Sequence, residues 1–96
     1  MNDYLILMHN DSGTTNPDDW NTYFSQLNKL GVFQGGSSIG GGACISKTDN
    51  SKPITGHLSG YIRIEAGDLE HAKELIKGNP VFEAGGTIEI RELLKG

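Results

Sequence analysis

Cysteine, basic clusters and long apolar runs are all scarce in this chain of 96 residues. The single cysteine, Cys44, allows no internal disulfide and no cysteine-based metal cluster. Eight scattered lysines and arginines stand against twelve acidic residues, whereas nucleic-acid binding relies on clustered basic residues. No apolar run approaches the roughly 18 residues that span a bilayer, and the N-terminal stretch lacks a signal-peptide pattern. We therefore expect a cytoplasmic protein with no nucleic-acid partner and no membrane partner.

The residues that are present alternate between strand and helix patterns, over a length that suits a single domain (residues 1–96). The apolar run at residues 4–9 predicts a buried strand. Asn16 and Pro17 are typical of the start of a helix, and apolar side chains then recur at helical spacing. A second strand is expected to begin at Val32.

The segment VFQGGSSIGGGAC (residues 32–44) is rich in glycine, which raises the question of a phosphate-binding loop. A P-loop reads G-x-x-x-x-G-K-[ST], but Gly41 and Gly42 occupy the places of the lysine and the hydroxyl residue. The glycines instead favour a kink and a reversal of the chain at the sheet edge. ACISK (residues 43–47) is then expected to form an extra strand of an edge hairpin.

Three further elements are predicted after a polar turn. Residues 56–65 alternate between polar and apolar side chains, as a half-buried strand does. Asp68 is a helix cap, Gly78 ends that helix, and NPVFEAGG (residues 79–86) is interpreted as a connection to a last strand at residues 87–91. The order predicts an α+β, ferredoxin-like βαββαβ fold with an antiparallel sheet and two helices on one face. In the usual arrangement of this fold the first strand is expected between the strands at residues 56–65 and 87–91. Two helices cover only one face of the sheet, so the other face needs a partner or must be polar enough to stay hydrated.

Several segments resemble the YCII-related (YciI-like) protein family: YLILMHND, the helix pattern W-x2-Y-x3-L-x3-G, GYIRIEAGDLEHAKEL and NPVFEAGGTIEIREL. The resemblance implies a small bacterial protein with the dimeric α/β-barrel fold, in which the sheets of a homodimer face each other across a cleft. It also implies that the glycine-rich region borders this cleft, so that Ser37 and Ser38 can touch a ligand. PITGHLSG stands where one branch has an Asp-Gly-Pro-Phe signature. Trp20 stands where some members have a histidine, so their proposed histidine–aspartate pair does not carry over.

One end of the sheet collects residues that can carry chemistry. Because neighbouring core strands are antiparallel, the end of the first strand meets the beginnings of the other two. His9, His57 and Thr87 are therefore expected at the same end, with Asp11 and Glu83 on adjoining loops. If His9 points to the open face, two imidazoles and a carboxylate converge there and suit general acid–base catalysis, with His9 and His57 as the catalytic candidates.

Polar side chains further along the open face can orient a polar or anionic ligand. Two simpler interpretations stay open: the histidines bind backbone groups or water, and the charged strand residues form a cross-strand ladder or dimer contacts. Neither a metal site nor a cofactor is predicted, since two histidines without a close-spaced motif are weak indicators. The candidate ligand-binding residues are Asp11, Trp20, Ser37, Tyr61, Arg63, Glu83, Glu89 and Arg91.

Two functions remain open. The first is a protein that binds a small polar or anionic metabolite in an inter-subunit cleft, with histidine-based acid–base chemistry. The alternative is a non-catalytic dimeric module that binds a ligand or another protein. The separation and orientation of the two imidazole rings distinguish these functions. If the rings lie more than about 7 Å apart and face away from the cleft, acid–base catalysis loses its basis.

Overall fold

The computed structural model describes residues 1–48 and 52–95 of the chain. Within these ranges the strands form one antiparallel sheet in the order β2-β3-β1-β4, with β1 between β3 and β4 as predicted. The βαββαβ arrangement expected from the sequence is confirmed, with one additional short helix. The elements are β1 (Asn2–His9), α1 (Pro17–Lys29), β2 (Phe33–Ser38), β3 (Leu58–Ala66), α2 (Leu69–Glu74), α3 (Pro80–Glu83) and β4 (Ile88–Leu93).

Two of the helices begin with the same Asn-Pro dipeptide. The Asn16 side chain accepts a hydrogen bond from the amide of Asp18 at 2.9 Å, which caps α1. Asn79 caps α3 in the same way, although the sequence interpretation placed these residues in a connection. Four helical residues are too few to show a helical period. None of the helices in the described part of the chain combines the length and apolar character needed to cross a membrane.

The core lies between the sheet and the helices. Alternate residues of β1, namely Tyr4, Ile6 and Met8, are buried on this side, as strand geometry requires. From α1, the buried Tyr23 hydroxyl donates to the carbonyl of Leu75 at 2.7 Å and so ties α1 to the end of α2. Burial raises the pKa of Tyr23 to about 12.

The opposite side of the sheet, here called the open face, is not covered by any helix of residues 1–48 and 52–95. Leu5, Leu7 and His9 alternate with the buried residues of β1 and are half-buried. In the register of the sheet, Leu5 pairs with Arg63 on β3 and with Arg91 on β4. Two guanidinium side chains therefore flank an apolar residue at the centre of the open face.

The extra edge strand expected at residues 43–47 is not formed. β2 ends at Ser38, and residues 39–46 form neither helix nor strand. Glycines at positions 40, 41 and 42 supply no side chains to pack, and ordering them in a strand has a high entropic cost. Ile45 is accordingly 85% exposed, so ACISK lacks the packed face that would hold a strand on the sheet.

Candidate active site

The structure brings His9 and His57 into contact at the end of the sheet. β1 ends at His9, while His57 immediately precedes β3, and the amide of Asn10 donates to the carbonyl of His57 at 2.8 Å. The two imidazole ring centroids lie 4.7 Å apart with the ring planes at 75°. This separation falls within the limit of about 7 Å that the acid–base interpretation requires.

A bulge holds the two strands at this point. The register of β1 and β3 shifts between Met8 and His9, so that His9 pairs with Leu58. The Ser59 hydroxyl lies 3.2 Å from the carbonyl oxygen of Met8 and 3.3 Å from that of His9, to which it donates. The hydroxyl thus fixes the backbone next to the histidine pair.

A carboxylate on β4 completes the cluster. His9 Nε2 lies 3.0 Å from Glu89 Oε1, and Arg91 Nη1 donates to the other carboxylate oxygen, Glu89 Oε2, at 3.3 Å. The hydrogen bond with His9, followed by that from Arg91, lowers the pKa of Glu89 below its ordinary value. Glu89 is therefore ionised at neutral pH and can orient the His9 ring.

This arrangement is suited to moving protons. The Glu89 carboxylate forms a hydrogen bond with one nitrogen of His9, and the exposed His57 ring contacts the His9 ring edge-on. Such a pair offers a proton donor and a proton acceptor side by side.

The same three side chains also carry ligand atoms of the kind that bind transition metals. The available nitrogen and oxygen atoms of His9, His57 and Glu89 lie within 4.8 Å of one another. A cation at this position would, however, lie close to the Arg91 guanidinium, which already occupies the second oxygen of Glu89. Repulsion from this fixed positive charge weakens the affinity for a metal and favours the proton-transfer interpretation.

Two of the predicted ligand-binding carboxylates have structural partners instead. Asp11 accepts from the Thr87 amide at 2.8 Å and from the Thr87 hydroxyl at 2.6 Å, at the start of β4. Glu83 accepts from the amide of Gly78 at 3.1 Å. It lines a separate groove beside α1 and α3, so the structure does not bring it to the histidines.

Apart from the contact of Glu89 with His9, the charged residues of the open face form no ion pair between strands in the described part of the chain, so they do not build the cross-strand ladder considered above. Glu89 and Arg91 form an ion pair within the single strand β4. Arg63 is exposed and lies across β1 from Arg91. Both guanidinium groups thus belong to the face that carries the histidine pair, where they can attract a negative charge.

A cavity of about 540 Å³ gathers other predicted residues on the opposite, helix-covered face. Trp20 lines it together with core residues such as Met8. Because Met8 and His9 are consecutive in β1, their side chains point to opposite faces of the sheet. The structure therefore places Trp20 on the face opposite to the histidine pair.

Ser37 and Tyr61 border the same cavity, but the register assigns their side chains to the open face. They pair with each other, and Tyr61 also pairs with Leu7 of β1. Asn10, Phe24 and Ser59 also line the cavity and were not chosen as ligand-binding residues from the sequence.

The fold is similar to that of a protein of known structure. No model of a known protein family matches the chain, and no curated protein matches it. A solved structure that does match is 5-chloro-2-hydroxyhydroquinone dehydrochlorinase (TftG) from Burkholderia phenoliruptrix AC1100, in complex with 2,5-dihydroxybenzoquinone. It is 16% identical with a TM-score of 0.58, and the alignment covers 98% of this chain and 95% of TftG. The chain is therefore similar in fold to TftG.

Proposed function

We propose that this protein is a cytoplasmic, YCII-like enzyme that binds a small polar or anionic metabolite and transfers a proton to or from it. His9 and His57 are the proton-transfer groups, and Glu89 is a positioning residue that orients His9. The protein acts as a homodimer, and the ligand lies between the open faces of the two subunits.

The contact of the two imidazoles with each other and with Glu89 carries this proposal. A strand-end histidine that only satisfies the backbone has no need of a carboxylate partner. Here the 3.0 Å distance from His9 to Glu89 is accompanied by a second histidine in ring contact. An acid–base site needs these components: a titratable group, an orienting partner and a second proton-transfer group within reach.

The substrate class follows from the charges around the pair. Arg63 and Arg91 flank the centre of the open face, and guanidinium groups bind carboxylates and phosphates well. The cleft of a face-to-face dimer would exclude water around such a ligand and strengthen its interaction with both arginines. TftG supports a small-molecule enzyme on this fold, since it is a dehydrochlorinase described in complex with a hydroxylated quinone.

A thermal-shift screen tests the site. The compounds are small carboxylates, phosphate esters and hydroxylated quinones, tested against wild type, His57→Ala and His71→Ala. His71 is the matched control because it lies on α2, where its Nδ1 accepts from the Gly67 amide. At least one compound should raise the melting temperature of wild type and His71→Ala but leave His57→Ala unshifted. If no compound makes this distinction, the proposed site is wrong.

A conversion assay then separates an enzyme from a binding module. The stabilising compound is incubated with wild type and with Glu89→Gln, and its conversion is followed by mass spectrometry across a range of pH. Glu89→Gln keeps the shape of the side chain but removes the charge that orients His9, so we expect conversion to slow at least about tenfold. Binding without conversion by wild type would instead favour the non-catalytic module.

A further inference from the structure

The cavity on the helix-covered face arises from small residues on the sheet. Gly36, Ser38 and Gly60 lie where larger side chains would otherwise reach up to α1. A Cβ atom on Gly60 would lie 2.9 Å from Cε of Met8, and one on Gly36 would lie 2.6 Å from the carbonyl oxygen of Tyr61. Close packing of β2 against the backbone of β3 thus requires glycine at position 36, whereas at position 60 the end of the flexible Met8 side chain would have to move. Neither glycine has a side chain that could fill the space between the sheet and α1.

The lining of this cavity has an apolar part and a polar part, and no charged residue from the described part of the chain contributes to it. Helices and strands supply the apolar side chains, while the loop after β1 and the ends of β2 and β3 supply hydroxyl and amide groups. The apolar lining includes Met8, Trp20 and Phe24, and the polar lining includes Asn10, Thr15 and Ser38.

Aromatic rings form one wall of the cavity. The rings of Trp20 and Phe24 are stacked, with centroids 5.6 Å apart and planes at 29°. Such a wall favours a flat ring, which can pack against it face to face or edge to face. Within the described residues, the Ser38 hydroxyl has no hydrogen-bond partner, so it is available to a polar substituent of that ring.

We propose that this cavity is a second binding site, which takes an uncharged aromatic compound bearing hydroxyl groups. Its volume falls in the usual range for small-molecule sites. An ionised ligand is disfavoured, because a charge leaving water would find no opposite charge among the lining residues. The site is distinct from the histidine cluster, since Met8 lines it while His9 projects from the other face of β1.

Fluorescence of Trp20, the single tryptophan of the chain, reports binding directly. Resorcinol is the uncharged dihydroxy probe, toluene lacks its hydroxyl groups, and benzoate carries a charge. We expect a saturable change in tryptophan emission with resorcinol and about tenfold weaker binding of benzoate. The absence of saturable resorcinol binding, or equally tight binding of benzoate, would overturn the proposal.

Substitutions inside and outside the cavity test where resorcinol binds. Ser38→Phe fills the cavity from β2 and should weaken resorcinol binding at least about tenfold. Ser25→Phe makes the same change on the exposed side of α1 and should leave binding within about twofold. Equal affinities in these two variants would contradict the assignment. If Ser38→Phe does not unfold cooperatively, Ser38→Ala replaces it and should reduce the preference for resorcinol over toluene; an unchanged preference would equally contradict the site.

His57→Ala separates this site from the proposed acid–base site. Because the two lie on opposite faces of the sheet, the variant should lose the response to the metabolite but bind resorcinol like wild type. Loss of resorcinol binding in His57→Ala would show that the cavity is not an independent site. Retained resorcinol binding with no metabolite response in wild type would reject the acid–base proposal alone.

Discussion

At the scale of single residues, Asp11 shows how a candidate ligand-binding carboxylate becomes a structural one. It was predicted near the histidines because it follows β1. In the structure its carboxylate accepts hydrogen bonds from the Thr87 amide and hydroxyl. These hydrogen bonds, that from the hydroxyl first, lower the pKa of Asp11 below its ordinary value. The sequence indicates which residues reach the end of the sheet. It does not indicate which of their side chains find partners there, because partner choice depends on rotamers and loop geometry.

The pH dependence of stability tests the role of Asp11. A carboxylate with a lowered pKa in the folded state stabilises the fold above its ordinary pKa, and this contribution disappears as the pH falls through the folded-state pKa. Wild type should therefore melt above Asp11→Asn at neutral pH, and the difference should shrink below about pH 4. Thermal unfolding followed by circular dichroism measures this, with Asp3→Asn, on the preceding strand β1, as a control. A constant difference down to low pH would contradict the prediction.

At the scale of elements, the two Asn-Pro helix starts differ in burial. Asn16 is exposed, whereas Asn79 is completely buried, and its side-chain oxygen accepts from the amides of Val81 and Phe82 at 2.9 and 3.2 Å. The pattern that predicted α1 therefore recurs at α3, but the latter is too short for a periodic pattern. The edge strand predicted at residues 43–47 does not form for a different reason. Its residues have a local β pattern, but such a pattern forms a strand only where a neighbouring strand pairs with it.

Alanine substitution at both positions compares the two caps. Asn79→Ala leaves two amides without a partner in or near the core and should lower the free energy of unfolding by about 2 kcal/mol. Asn16→Ala leaves the first amides of α1 exposed to water, which can hydrogen-bond them. It should lower the free energy of unfolding by about 1 kcal/mol or less. Urea unfolding of both variants measures the difference. An equal decrease in the free energy of unfolding in both variants would mean that burial does not increase the stabilising effect of the cap.

At the scale of the whole molecule, the sequence predicted the topology and the meeting of His9 with His57 but not the cavity on the helix-covered face. Topology follows from the order of the elements, and antiparallel pairing then determines which strand ends meet. A cavity instead depends on how far α1 stands from the sheet above Gly36 and Gly60, which no periodic pattern encodes. One property of the whole molecule is still a prediction: a second subunit over the open face.

The open face provides the test of the homodimer. Leu5 is half-buried at its centre, between Arg63 and Arg91, and a chain of this length gains from further burial of apolar surface. Leu5→Lys adds a third positive charge, and two-fold symmetry would place it in the interface twice. Sedimentation equilibrium should give twice the chain mass for wild type and the single-chain mass for Leu5→Lys. Leu30→Lys, at a leucine that is 58% exposed beyond the end of α1, should stay dimeric. A monomeric wild type, or a Leu5→Lys variant that remains a dimer, would exclude pairing through this face and with it the inter-subunit cleft.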